Sequence, residues 1–98
     1  MNCNRCVRVI ITGIVQGVGY RWRAREAALS LGITGWIKNR PDGSVEAVFQ
    51  GPPGPLEEMI KWAWSGPPGA AVREVATTSC RYEPEMKGFV ITEENQNN

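Results

Sequence analysis

At 98 residues and 10.8 kDa, with 42% hydrophobic and 21% charged residues, the chain has the size and composition of one globular domain. It contains no histidine, which excludes Ser-His and Cys-His catalysis, imidazole base chemistry and nearly every zinc-enzyme ligand set. A formal net charge of +1 gives no global field that would steer it to nucleic acid or a membrane surface, although arginine outnumbers lysine and suits bidentate contact with oxyanions.

The N-terminal residues Met1-Asn2-Cys3-Asn4-Arg5-Cys6 run directly into a strand pattern without an apolar leader, and no run of about 18 apolar residues follows. A cytoplasmic protein with no membrane partner is therefore expected. Three cysteines form no disulfide framework, and Cys3-x-x-Cys6 is at best half a zinc site, so no metal and no cofactor are expected. The first strand runs over Cys6 to Gly13, where Val7, Val9 and Ile11 alternate with Arg8, Ile10 and Thr12. A glycine-rich loop from Gly13 to Gly19 comes next. Ala24, Ala27, Ala28 and Leu31 then fall on one helical stripe that ends at Gly32, in the position of a C-terminal cap.

Ile33 to Asn39 and Ser44 to Gln50 read as two strands joined by the tight hairpin Arg40-Pro41-Asp42-Gly43. After a Gly51-Pro52-Pro53-Gly54 break, Pro55 stands in the first turn of a second helix, with Glu57 and Glu58 suiting its dipole. Its stripe is Leu56, Met59, Ile60 and Ala63, stopped by Gly66-Pro67-Pro68-Gly69. Trp62 and Trp64 cannot share a helix face, so one packs and the other is partly exposed. Ala71 to about Cys80 is a fourth strand, and Phe89-Val90-Ile91 a short last one. Residues 1–5 and 93–98 are expected to be frayed.

The order β-α-β-β-α-β plus a short terminal strand is that of an α+β, ferredoxin-like split βαβ sandwich: one domain over 1–98, with two helices on one face of a mostly antiparallel sheet. In that topology the first and fourth strands are antiparallel neighbours. Cys6 and Cys80 should then lie within the ~4.4–6.8 Å Cα separation that a disulfide needs.

Two segments carry candidate chemistry. The loop between the first strand and helix can aim backbone N–H groups into one concavity at a helix N-terminus, an oxyanion cradle, with Arg21 following to fold over the anion. It can equally be a turn that only joins two elements. Asn39 ends a strand beside the hairpin, a place asparagine favours without any function, and its distance from the glycine loop depends on strand register.

Taken together, Gly13-x-Val15-Gln16-Gly17-Val18-Gly19-Tyr20-Arg21, Gly35-Trp36-Ile37-Lys38-Asn39 and Asp42-Gly43-Ser44-Val45-Glu46 resemble the acylphosphatase family, with Asn39 following Arg21 by 18 positions. The resemblance extends through Gly66-Pro67-Pro68 to Phe89-x-Ile91, nearly the whole chain. It implies hydrolysis of acyl phosphates to a carboxylate and inorganic phosphate. It also implies that Arg21 and the loop Val15, Gln16, Gly17, Val18, Gly19 and Tyr20 hold the phosphoryl group, while Asn39 positions the attacking water. Tyr20 stands where phenylalanine is commoner, and Arg40 where some members carry Ser or Thr.

The composition fits such a reaction. Without histidine or a metal cluster the chain has little with which to activate water or protonate a poor leaving group. An acyl phosphate brings its own activation, because its carboxylate leaves unprotonated. The alternative is a non-catalytic module of the same fold that binds an anion or metabolite. A nucleic-acid partner is not expected, since Trp36 and Phe49 stand alone on their strands and form no stacking platform. A self-contained domain of this size is expected to be a monomer.

Overall fold

The structure, a computed structural model, describes residues 3–92; the terminal residues 1–2 and 93–98 lie outside the described range. Strand β1 spans Arg5–Ile14, α1 Tyr20–Leu31, β2 Thr34–Asn39, β3 Val45–Gly51, α2 Pro53–Ser65, β4 Ala71–Ser79 and β5 Phe89–Ile91. The five strands form one sheet in the order β4-β1-β3-β2-β5. All neighbours are antiparallel except β2 and β5, which run parallel. This is the ferredoxin-like arrangement expected from the element order.

Alternation puts the core on one face. Val9 and Ile11 of β1, Ile37 of β2 and Val45, Ala47 and Phe49 of β3 share a single buried cluster with Tyr20, Ala24 and Ala28 of α1 and Leu56, Met59 and Ala63 of α2. Each large apolar side chain fully buried there contributes roughly 1.5–3 kcal/mol. Arg8 and Glu46 lie on the opposite face and pair across β1 and β3 at 2.7 Å. Phe49 is a core residue tilted against Phe89, 6.0 Å between centroids, whereas half-buried Trp36 sits 5.7 Å from the Lys38 ammonium. Trp62 packs against Tyr20 at 5.1 Å and Trp64 is 51% exposed, the division that their spacing requires.

Two expectations need correction. Helix α2 begins at Pro53 rather than Pro55, with Pro52 as its N-cap, so no acidic residue falls in its first turn. Proline's fixed φ fits the first helical positions generally, so both prolines are accommodated and the earlier one marks the start. Order also reaches further toward the N-terminus than residue 6. Arg5 pairs with Gly51, and the Asn4 amide donates to the Tyr82 hydroxyl at 2.9 Å.

Register fixes what lies at each end of the sheet. Ile11 is opposite Val45, and Val45 is opposite Asn39, so the end of β1, the end of β2 and the start of β3 share one end. At the other end Cys6 is opposite Gln50, and Gln50 opposite Thr34. There Cys6 and Cys80 form a disulfide with Cα atoms 5.1 Å apart, inside the separation expected from strand order.

Candidate functional site

The site is built from the loop after β1 and the hairpin after β2. The pairing of β1 with β4 shifts between Thr12 and Gly13, where Arg73 of β4 is the extra, unpaired residue of a bulge. Val15 is buried and anchors the loop in the core. Gly17 and Gly19 have φ of 77° and 80°, with open space where a Cβ would stand. Backbone conformation, not crowding, calls for glycine at both.

Gly19 is the N-cap of α1 and offers no side-chain acceptor, and the first turn holds no acidic residue. Among the described residues, no backbone N–H from Gln16 to Trp22 donates to a backbone carbonyl or side chain; the first helical bond is Arg23 N–H to Gly19 O at 3.1 Å. Unsatisfied donors and the positive end of a helix macrodipole are thus concentrated in one loop. Half-buried Arg21 adds a full charge in the same turn, and it makes no ion pair among the described residues. Without a side-chain cap or acidic neighbour, this positive concentration is complementary to an anion.

The Tyr20 side chain does not face the loop. It is 2% exposed, and its hydroxyl donates to Ala63 O at 2.7 Å. Ala63 lies near the end of α2, and the residue four further on is Pro67, which has no N–H to donate to that carbonyl. The hydroxyl therefore caps an otherwise unpaired helix carbonyl, which explains tyrosine in place of phenylalanine. Burial raises the phenol's pKa above its usual value. Only the backbone N–H of Tyr20 is available to the cradle.

Asn39 ends β2 at this same end of the sheet. Its Oδ1 is the one buried side-chain nitrogen or oxygen without a hydrogen-bond partner among the described residues. Such an acceptor ordinarily costs about 1–3 kcal/mol, so the position is not explained by turn chemistry alone. The hairpin beyond it is tightly held. Arg40 N–H donates to Ser44 O at 2.8 Å, and Gly43 N–H to Arg40 O at 3.1 Å. Ser44 donates to Asp42 Oδ1 through its hydroxyl at 2.6 Å and its N–H at 2.9 Å. The hydroxyl first, then the N–H, hold the Asp42 carboxyl below its usual pKa.

Gln16 joins the two segments. Its Nε2 donates to Arg40 O at 2.8 Å and to Ser44 O at 2.9 Å. The distance between loop and hairpin, open in the sequence, is thereby bridged by one side chain. The Gln16 side chain faces the hairpin, and only its backbone N–H is left for the cradle. The Arg40 guanidinium reaches Asp42 at 3.9 Å, while its backbone takes part in the hairpin bonds.

Comparison with known proteins decides the family. The family model described as acylphosphatase matches residues 7–91. The chain belongs to the acylphosphatase family. It is 47% identical over 83 residues to an acylphosphatase of Pelotomaculum thermopropionicum, covering 85% of this chain and 90% of that one. It is 49% identical over 86 residues to an acylphosphatase of Trichormus variabilis, covering 87% and 83%. The structure of an acylphosphatase from Coxiella burnetii superposes with a TM-score of 0.86 at 36% identity, over 93% of this chain and 94% of that chain. The acylphosphatase activity is that of a hydrolase acting on acid anhydrides, and its substrate is a small-molecule acyl phosphate. None of the described helices is long and apolar enough to cross a membrane.

Proposed function

We propose that the chain hydrolyses its acyl phosphate by attack of an Asn39-positioned water on a phosphoryl group held by Arg21 and the backbone N–H groups of loop 15–20, without a metal ion. The observation that carries this reading is the buried, unpartnered Oδ1 of Asn39, at the same end of the sheet as a loop of unpaired N–H groups. A neutral amide cannot act as base. Its oxygen accepts a hydrogen bond from the water and so aims a lone pair at phosphorus, and a phosphoryl oxygen takes the proton. The guanidinium and loop donors meet the charge on the equatorial oxygens, which a loose phosphoryl transfer state requires. The carboxylate leaves without protonation. A monomer working in the cytoplasm, with neither nucleic acid nor membrane as partner, completes the reading.

Steady-state hydrolysis of benzoyl phosphate, with inorganic phosphate as inhibitor, tests it. Asn39→Ala should lower kcat by about 10²–10³ while leaving the phosphate inhibition constant nearly unchanged. Arg21→Gln should weaken phosphate inhibition and turnover together. EDTA should leave the wild-type rate unchanged. A folded Asn39→Ala that keeps a third or more of wild-type kcat, against the ~10²-fold loss expected, removes the water-positioning role.

A further inference from the structure

We propose that Gln16 is a positioning residue that couples the two halves of the site, locking the phosphate loop to the hairpin so that the grip on the phosphoryl group and the aim of Asn39 are set together. The inference rests on the reading of Asn39 as the water-holding residue.

Both Gln16 contacts leave one nitrogen, to carbonyls on either side of the hairpin turn, 2.8 Å to Arg40 O and 2.9 Å to Ser44 O. Each carbonyl already accepts a backbone N–H, from Gly43 and from Arg40 respectively. The turn therefore closes without Gln16, and the amide adds only the tie to the loop. Among the described residues no other hydrogen bond joins loop 15–19 to residues 39–44. The loop side of the tie is soft, since Gly17 and Gly19 follow at once in left-handed conformations. On the hairpin side Arg40 directly follows Asn39. A shift of the Arg40 carbonyl relative to the loop is thus a shift of Asn39 relative to the bound phosphoryl group, and a misplacement of about 1 Å costs on the order of 10²-fold in rate.

The chemistry restricts which residue can hold this tie. A primary amide supplies two N–H donors from one atom. A carboxylate of the same length would set lone pairs against two carbonyl oxygens. Its protonated form would restore one of the two bonds. Repulsion by the carbonyls raises the pKa of such a carboxyl, so the neutral, competent form is present at low pH and is lost as pH rises.

The test combines Gln16→Leu, Gln16→Glu and Asn39→Ala, each measured on benzoyl phosphate beside a thermal melt. Gln16→Leu should lower kcat about 10–10²-fold, with a melting midpoint within a few degrees of wild type because no backbone group loses its only partner. In the Asn39→Ala background the same substitution should cost less than about threefold, since there is no longer a positioned water to misplace. Relative to wild type at each pH, Gln16→Glu should lose about tenfold in kcat between pH 5 and 8, a change that a purely structural role would not produce.

Equal losses from Gln16→Leu in both backgrounds, or a Gln16→Glu profile parallel to wild type, would overturn the coupling. Should Gln16→Leu fail to fold, the Gln16→Glu profile decides alone. If Asn39→Ala itself keeps wild-type kcat, the water-holding reading fails and takes this inference with it. A wild-type-like Gln16 variant beside an impaired Asn39→Ala removes the coupling only.

Discussion

Asn39 and Gln50 are amide side chains at opposite ends of one strand pair, β2 with β3, and the fold treats them oppositely. Gln50 is 1% exposed and uses its whole amide: Nε2 donates to Thr34 Oγ1 at 3.2 Å and to Glu83 O at 3.0 Å, and Oε1 accepts from Glu83 N–H at 2.8 Å. Around it the disulfide joins Cys6 to Cys80, and Asn4 reaches Tyr82. The chain from β4 to β5 is thereby fastened to the sheet. Asn39 instead keeps its Oδ1 unpaired beside a loop of unpaired donors. Satisfied amides hold structure; on the proposed reading the unsatisfied one accepts from the attacking water. The difference implies that stability and turnover can be perturbed separately, at opposite ends.

The largest expected effect is on the disulfide. Its closed loop spans a sequence separation of 74 residues. On the chain-entropy account, opening such a loop costs up to ~4 kcal/mol. Cys6→Ser, or a reductant on wild type, should lower the melting midpoint by at least about 10 °C. At temperatures where the protein stays folded, kcat should not change. A parallel loss of kcat would mean that the two ends are coupled through β1. A reducing cytoplasm keeps thiols open, so the bond would contribute there only if it is shielded from exchange.

Gln50→Leu sharpens the contrast, because it replaces a fully bonded amide by an apolar side chain of similar size. Thr34 and Glu83 lose partners, although water reaches the exposed Glu83, and the cost should be about 2–3 kcal/mol. Urea denaturation measures it, and turnover should remain that of wild type. Asn39→Ala should do the reverse. If Gln50→Leu lowered kcat as much as Asn39→Ala, the division of labour between the two amides would be wrong.

What the sequence revealed follows from what local pattern encodes. The β1 alternation and the Ala24–Leu31 stripe closed by Gly32 are written at the period of their own elements, and both appear where expected. The Cys6–Cys80 pairing was legible because strand order alone brings the start of β1 beside the end of β4. The Arg73 bulge opposite Thr12 and Gly13 and the tie from Gln16 to Arg40 and Ser44 were not. Both depend on which segments meet across tens of residues, and a glutamine in a glycine loop looks the same whether it faces a ligand or a hairpin. The start of α2 was misjudged because Pro53 and Pro55 satisfy the same local rule.

Tyr20 lies at the Asn39 end but serves two roles there, its side chain packed in the core against Ala63 and its N–H in the proposed cradle, and it gives the smallest and most diagnostic effect. Tyr20→Phe removes the donor to Ala63 O, a carbonyl that Pro67 cannot serve, and should cost about 1 kcal/mol by thermal melt. Because burial raises the phenol's folded-state pKa, folding favours the neutral form. That contribution is complete below the unfolded value near 10 and is lost as pH rises beyond it, so the variant should lose less stability than wild type in strong alkali. Phosphate inhibition and kcat should stay within about twofold of wild type, since the cradle takes only backbone from this residue and the phenyl ring keeps the packing. A Tyr20→Phe variant that melts as expected yet binds phosphate several-fold more weakly would mean that the core sets the cradle's geometry through this side chain. The separation of stability from turnover drawn from Gln50 and Asn39 would then fail at a residue that serves both the core and the loop.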